Sequence, residues 1–253
     1  MIHSILLIGQ SNMAGRGRCD EVAPINNMDG RIKVLRNGRW LNAYRPINPD
    51  REMAGVCLAE SFATEYASAH GNVDIGLIPC ADGGTSLAQW QRGGLLFDNA
   101  VNMTKLALRT SNLVAILWHQ GEADLSEGRH HDYCERLLSM MSALREEIGA
   151  PDVPIIVGGL GDFLKNLKEC PSLKGYPLLN AQLKSFAGRA PRAAYASAEG
   201  LPSNPDNLHF SASALLELGG RYYRAFETVE DKRRTFEDKS DMDAAIRSKM
   251  ELL

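Results

Sequence analysis

The 253-residue chain is 44% hydrophobic and 23% charged with a formal net charge of -3, a size and balance suited to one large α/β domain. No basic stripe stands out to neutralise phosphates, which argues against nucleic acid as a partner, and no stretch approaches the ~20 apolar residues of a membrane span. Cys19, Cys57, Cys80, Cys134 and Cys170 are scattered without a Cys-x-x-Cys pair. They read as free thiols of a reducing compartment, and with no signal-like segment before the first strand the expected location is cytoplasmic.

The first strand is the apolar run around Ile5-Leu6-Leu7-Ile8, of the kind covered by helices on both faces. It runs into Gly9-Gln10-Ser11-Asn12-Met13-Ala14-Gly15. Gly9 permits a sharp bend there, and Ser11 stands where open α/β sheets place their ligand crevice. A following helix would offer free amides to an oxyanion, although a serine so placed also serves simply as a helix cap.

Residues 16–50 are polar and rich in Asn, Pro and Gly, with one short strand, Ile32-Lys33-Val34-Leu35, and a hairpin-turn signal at Asn37-Gly38. Leu58, Phe62 and Tyr66 recur at helical spacing over 56–69. A strand over 73–80 leads to the turn Asp82-Gly83-Gly84-Thr85, then a helix over 97–109. The buried strand over 113–118 runs into His119-Gln120-Gly121-Glu122-Ala123-Asp124. A helix over 132–148, a strand over 153–158, a helix over 178–186 and an edge strand over 193–198 follow. A loop carries Asp206-Asn207-Leu208-His209 into a last core helix over 211–228. Strands alternating with long helices predict βαβ units and a parallel sheet. The expected organisation is one domain over 1–229. A charged extension over 230–253 carries Met242, Ala245, Ile246, Met250 and Leu253 at helical spacing. It is expected to pack on that domain, with pairing to a second copy as the alternative.

In a parallel sheet the turns after these strands share one edge, so a serine, glycine amides, an amide side chain, acids and a histidine converge there. Ester chemistry needs such a set: a nucleophile, a base, an acid that orients the base, and donors for the oxyanion. Other chemistries fit less well. His119, Glu122, His130 and His131 form no His-Glu-x-x-His pattern, and on a helix or strand His130 and His131 would point in different directions, so no metal is expected. No Gly-x-Gly-x-x-Gly is present, and no lysine follows the first turn as a nucleotide loop requires.

The motifs Gly9-Gln10-Ser11-Asn12-Met13-Ala14-Gly15, Gly83-Gly84-Thr85-Ser86-Leu87-x-x-Trp90, Trp118-His119-Gln120-Gly121-Glu122-Ala123-Asp124 and Asp206-x-x-His209-Phe210 resemble the SGNH (GDSL-like) hydrolases. The branch they most resemble is the sialate O-acetylesterase and acetylxylan esterase family of carbohydrate esterases. The resemblance spans roughly residues 3–226. It implies a three-layer α/β/α sandwich with a flavodoxin-like, five-stranded parallel sheet. By position it makes Ser11 the nucleophile, His209 the base and Asp206 the orienting acid. The oxyanion donors would be the amides of Ser11 and of Gly84 or Gly83, with the Gln120 side chain. Glu122 would either hold the Gln120 turn or compete with Asp206. Gln10, Asn12, Gly83, Thr85, Trp90 and Glu122 become candidate substrate-binding residues, with Trp90 a candidate sugar platform although buried core is the commoner fate of a tryptophan. The implied function is a cofactor-free serine esterase removing O-acetyl groups from a sialic acid- or xylan-type sugar or oligosaccharide. The alternatives are a short-chain esterase on non-sugar esters and a catalytically silent carbohydrate-binding protein.

Overall fold

The computed structural model describes residues 1–126 and 128–230; the expected C-terminal helix lies, beyond residue 230, outside the described residues. Seven strands are named in chain order: β1 (Ile2–Gly9), β2 (Ile32–Arg36), β3 (Arg39–Asn42), β4 (Asp74–Pro79), β5 (Ser111–His119), β6 (Ile155–Gly158) and β7 (Ala193–Ala196). They form one sheet of order β3-β2-β4-β1-β5-β6-β7. All neighbours pair in parallel except β2 and β3, which form an antiparallel hairpin. Without that hairpin the order β4-β1-β5-β6-β7 is the 2-1-3-4-5 order of a flavodoxin-like sheet. The expected five strands are therefore the core. The correction to seven comes from the Asn37-Gly38 hairpin, whose first strand is apolar enough (Ile32 and Val34 fully buried) to add to the edge of β4.

β1 occupies the centre because Ile5, Leu6, Leu7 and Ile8 have no exposed surface at all. Alternation would leave one face wet; this continuous run demands cover on both. α2 (Ala59–Ala69) and the helix over 212–230 supply one cover, with the Phe62 ring meeting Tyr223 and Phe226 edge-on at 5.8 and 5.9 Å. α3 (Leu95–Ala107), α5 (Tyr133–Glu147) and α6 (Tyr176–Arg189) supply the other, packed in succession. No described helix is long and apolar enough to cross a membrane, and the five cysteines are free thiols.

The sheet changes winding direction between β1 and β5, the place where α/β folds open a ligand crevice. There Gly9 adopts φ +131°, and a Cβ built on it would lie 2.2 Å from the carbonyl oxygen of His119. Only glycine lets the Ser11 turn and the end of β5 approach so closely. Gly9→Ala is therefore expected to cost at least about 3 kcal/mol, from strained backbone together with a clash against main chain that cannot yield. Gly71→Ala, where nothing lies within 4 Å of the new methyl, should be near neutral. Paired urea denaturation curves check both.

Candidate active site

After β1 the chain makes a single helical turn, Ser11–Ala14, closed by Gly15 at φ 101°. This is far shorter than the helix expected there, because the chain bends away at Gly15. Any anion stabilisation must come from individual amides rather than from a long helix dipole. Ser11 is 7% exposed. Its Oγ lies 3.0 Å from Nε2 of His209, and His209 Nδ1 lies 2.7 Å from Asp206 Oδ2. An ionised carboxylate can only accept, so Nδ1 carries the proton and Nε2 is left to receive that of Ser11. Asp206 Oδ1 also accepts the amides of Leu208 and His209, both at 2.9 Å. Burial by itself would raise the Asp206 carboxyl, but the amides of His209 and Leu208 and the imidazole outweigh it and hold the group below the usual carboxylate range.

Asn12 straps the histidine loop to the Ser11 turn. Its Oδ1 accepts the Phe210 amide at 3.1 Å and its Nδ2 donates to Leu208 O at 3.3 Å, so it grips the chain on both sides of His209. The same Nδ2 donates to Glu122 Oε1 at 2.6 Å. Glu122 thus supports the strap and makes no hydrogen bond to His209, while Asp206 does. Among the described residues the other Glu122 oxygen is buried without a hydrogen-bond partner. Burial lifts this carboxyl above its ordinary range, offset only in part by backbone amides and Asn12.

The glycine turn after β4 is held against Ser11 by residues from the polar stretch that carried no motif. The side chains of Arg16 and Asp50, each 4% exposed, form a bidentate pair at 2.7 and 3.0 Å. Asp50 Oδ2 accepts the Gly83 amide at 2.8 Å, and Asn48 exchanges two bonds with the Ala81 backbone. The Gly83 amide is thereby spent. Among the described residues the amides of Ser11 and Gly84 make no hydrogen bond, and a Cβ on Gly83 would sit 3.5 Å from that of Ser11, so the turn abuts Ser11. Arg16, Asn48 and Asp50 were missed in the sequence because isolated polar residues in an irregular segment carry no periodicity.

Gln120 is completely buried. Its Nε2 donates to Asp124 Oδ2 (2.8 Å), Thr85 O (3.0 Å) and Gln10 Oε1 (3.1 Å), three acceptors for two hydrogens. Its Oε1 accepts the Tyr133 hydroxyl at 2.7 Å. This carboxamide offers no free N–H to a substrate, contrary to the expected oxyanion role. Asp124, also fully buried, further accepts the Leu87 amide at 2.7 Å and Arg136 at 3.1 Å. Trp90 is 1% exposed, packs edge-on to Trp118 at 5.5 Å and donates to Thr85 Oγ1 at 3.0 Å. It is core and offers no sugar platform. The Thr85 hydroxyl, which also donates to Asp82 O at 2.7 Å, is likewise committed, as are the Asn12 side chain and one oxygen of Glu122. Tight packing turned these candidate substrate contacts into scaffolding. Among the described residues no cluster of three His, Cys, Asp or Glu side chains is arranged to hold a metal. The His130 and His131 rings lie 4.2 Å apart, since in a loop neighbouring side chains need not diverge.

Residues 2–228 match the family model described as carbohydrate esterase, sialic acid-specific acetylesterase. The chain belongs to that family. It is 28% identical over 242 residues to a probable carbohydrate esterase of Arabidopsis thaliana, covering 85% of this chain and 86% of that protein. An Arabidopsis thaliana crystal structure superposes with a TM-score of 0.76 at 26% identity, over 89% of this chain and 98% of that one. NanS is similar in fold at 18% identity, with a TM-score of 0.68 over 92% of this chain and 98% of that one. A carbohydrate acetylesterase from Xanthomonas citri gives 0.63 at 20% identity, over 90% of this chain and 56% of the other. This member of the carbohydrate esterases is accordingly a carboxylic ester hydrolase, with its four motifs gathered on one sheet edge.

The contacts rank the two acids. Asp206→Asn is expected to lower kcat by up to about 10⁴-fold, the cost of losing the orienting acid in a serine protease, and at least tenfold more than Glu122→Gln; rates on an aryl acetate decide, and the reverse order would reassign the acid. Since burial raises the folded-state pKa of Glu122, its ionised form weakens the fold as pH rises. Glu122→Gln should therefore be more stable than wild type at pH 8, with the gap closing as pH falls toward 4, as thermal melts across that range will show. Trp90→Ala should lose about 3–5 kcal/mol of stability and slow hydrolysis of acetylated oligosaccharide and aryl acetate alike; a loss confined to the oligosaccharide would restore the platform.

Proposed function

We propose that the protein removes O-acetyl groups from a sugar or oligosaccharide through an acyl-enzyme on Ser11. The observation that carries this reading is the continuous chain from Ser11 Oγ through His209 to Asp206, at 3.0 and 2.7 Å. Ser11 Oγ attacks the acetyl carbonyl carbon while its proton passes to His209 Nε2. The carbonyl oxygen becomes an oxyanion against the amides of Ser11 and Gly84. Collapse breaks the bond to the sugar oxygen, which leaves with the proton from Nε2. Water then attacks the acetyl-serine, gives its proton to the same nitrogen, and acetate departs as Ser11 recovers its own. Every role is filled by a protein group, so no cofactor enters the scheme. The substrate class rests on family membership and on the carbohydrate acetylesterase activity named for the Xanthomonas citri neighbour. Five free cysteines support a reducing, cytoplasmic setting.

The test is a hydrolysis panel of O-acetylated sialic acids, acetylated xylo-oligosaccharides and aryl esters of rising acyl length. Acetate esters should be cleaved best, butyrate at least tenfold more slowly and octanoate hardly at all, because a tight acyl pocket excludes by sterics where a permissive one discriminates by only ~1–3 kcal/mol per methylene. Faster octanoate cleavage would make the protein a long-chain esterase. Ser11→Ala should lose on the order of 10⁶ in rate, as in serine proteases. Retention of a tenth of the activity would remove Ser11 from the mechanism, and failure of a fluorophosphonate to label Ser11 would favour a silent binding protein.

A further inference from the structure

A groove of about 1250 Å³ opens at the amino ends of the strands, lined there by His3 of β1 and by Leu113 and Val114 of β5. Ser11 follows the carboxyl end of β1, so the groove lies on the opposite edge of the sheet. β5 runs between β1 and β6 in the middle of that sheet, yet Leu113 and Val114 are only partly buried. Neighbouring strand residues face opposite sides, so the helical cover stops short of this end on both faces. Phe226 of the last helix walls the groove on one side and Ala187 of α6 on the other. Small-molecule pockets run to roughly 300–1,000 Å³; this groove is sized for polypeptide.

The chain itself delivers an occupant. Phe226, Val229 and Glu230 of the helix over 212–230 stand in the groove wall, and Glu230 is ion-paired to Arg192 on the same wall. The sequence from Asp231 to Leu253 therefore starts at the groove's rim. Within it Met242, Ala245, Ile246, Met250 and Leu253 recur at helical spacing. Ser240-Asp241-Met242-Asp243 ahead of them is a capping-box pattern. A helix over 241–253, about 20 Å long, is marginal in water unless its apolar face is buried. Residues 231–239 span up to about 30 Å when extended, enough to return that stripe across the groove. Tethering at the rim gives the stripe an effective concentration on the order of millimolar, which favours its own groove over a second copy. We infer that the apolar stripe of residues 241–253 docks in this groove and closes the amino edge of the sheet.

Photo-crosslinking in the full chain tests the placement. Arg247 is replaced by p-benzoylphenylalanine, which flanks the stripe and leaves its apolar residues intact, and isotopically heavy and light protein are mixed before irradiation. Mass spectrometry should find residue 247 joined to segments around Val114, Pro151 or Phe226 within one chain. Links between heavy and light chains, links to another surface, or no links overturn the inference. Ile246→Asp combined with Met250→Asp gives a second readout. It should abolish those links and lower Tm by at least about 4 °C, since two buried apolar side chains are lost. Its kcat/KM on an aryl acetate should stay within twofold of wild type, because the groove lies across the sheet from Ser11. An unchanged Tm, or a loss of activity that places the stripe at the Ser11 edge, overturns the inference.

Discussion

One buried amide nitrogen ties the site together. Gln120 Nε2 reaches the Ser11 turn through Gln10, the glycine turn through Thr85 O and the α4 turn (Glu122–Ser126) through Asp124. Each contact lies in a place without solvent, where an unmade bond costs more than it would at the surface. Asp124 anchors the arrangement by accepting from Gln120, Leu87 and Arg136. Three turns from three strands are thereby fixed against one another before any substrate arrives. Preorganisation of this kind lets donors act on a developing charge without reorganising.

Around this dry centre the reactive groups are deliberately wetter. The Asp206 side chain is 45% exposed and that of His209 16%, whereas the residues beneath them are closed off. The histidine loop gains precision from straps rather than from burial. Asn12 grips Leu208 O and the Phe210 amide, and Asn204 joins the His209 carbonyl to the Arg16 carbonyl. Exposure leaves the imidazole open to solvent, while the straps hold it within reach of Ser11.

The fold explains why so many polar residues sit near the chemistry without touching it. A parallel sheet ends its strands along one edge, and every turn there carries backbone groups that no ladder satisfies. Asp50 takes the Gly83 amide, Asp124 the Leu87 amide and Asn48 the Ala81 backbone. Thr85 and Trp90 bond each other. Much of the polar chemistry at this edge therefore builds the crevice, leaving a few N–H groups for the reaction.

The sequence by itself determined the strand–helix alternation and the central place of β1, and it singled out Ser11, His209 and Asp206, which the structure joins by hydrogen bonds. Those signals are local: a continuous apolar run, a glycine-flanked serine, and an acid and histidine three residues apart. It also announced the Asn37-Gly38 hairpin, though not that Ile32 and Val34 would extend the sheet. Only the tertiary structure decided what each polar group at the site is free to do. Gln120 reads in the chain as an oxyanion donor, yet its amide is already bonded to Gln10 across 110 residues and to Thr85 and Asp124. The same holds for Gly83 against Gly84, divided by Asp50, and for Trp90, removed to the core by Trp118 and Thr85. Residue type gives the capacity to donate or accept, but whether that capacity is still unspent is set by long-range packing, which no local pattern records.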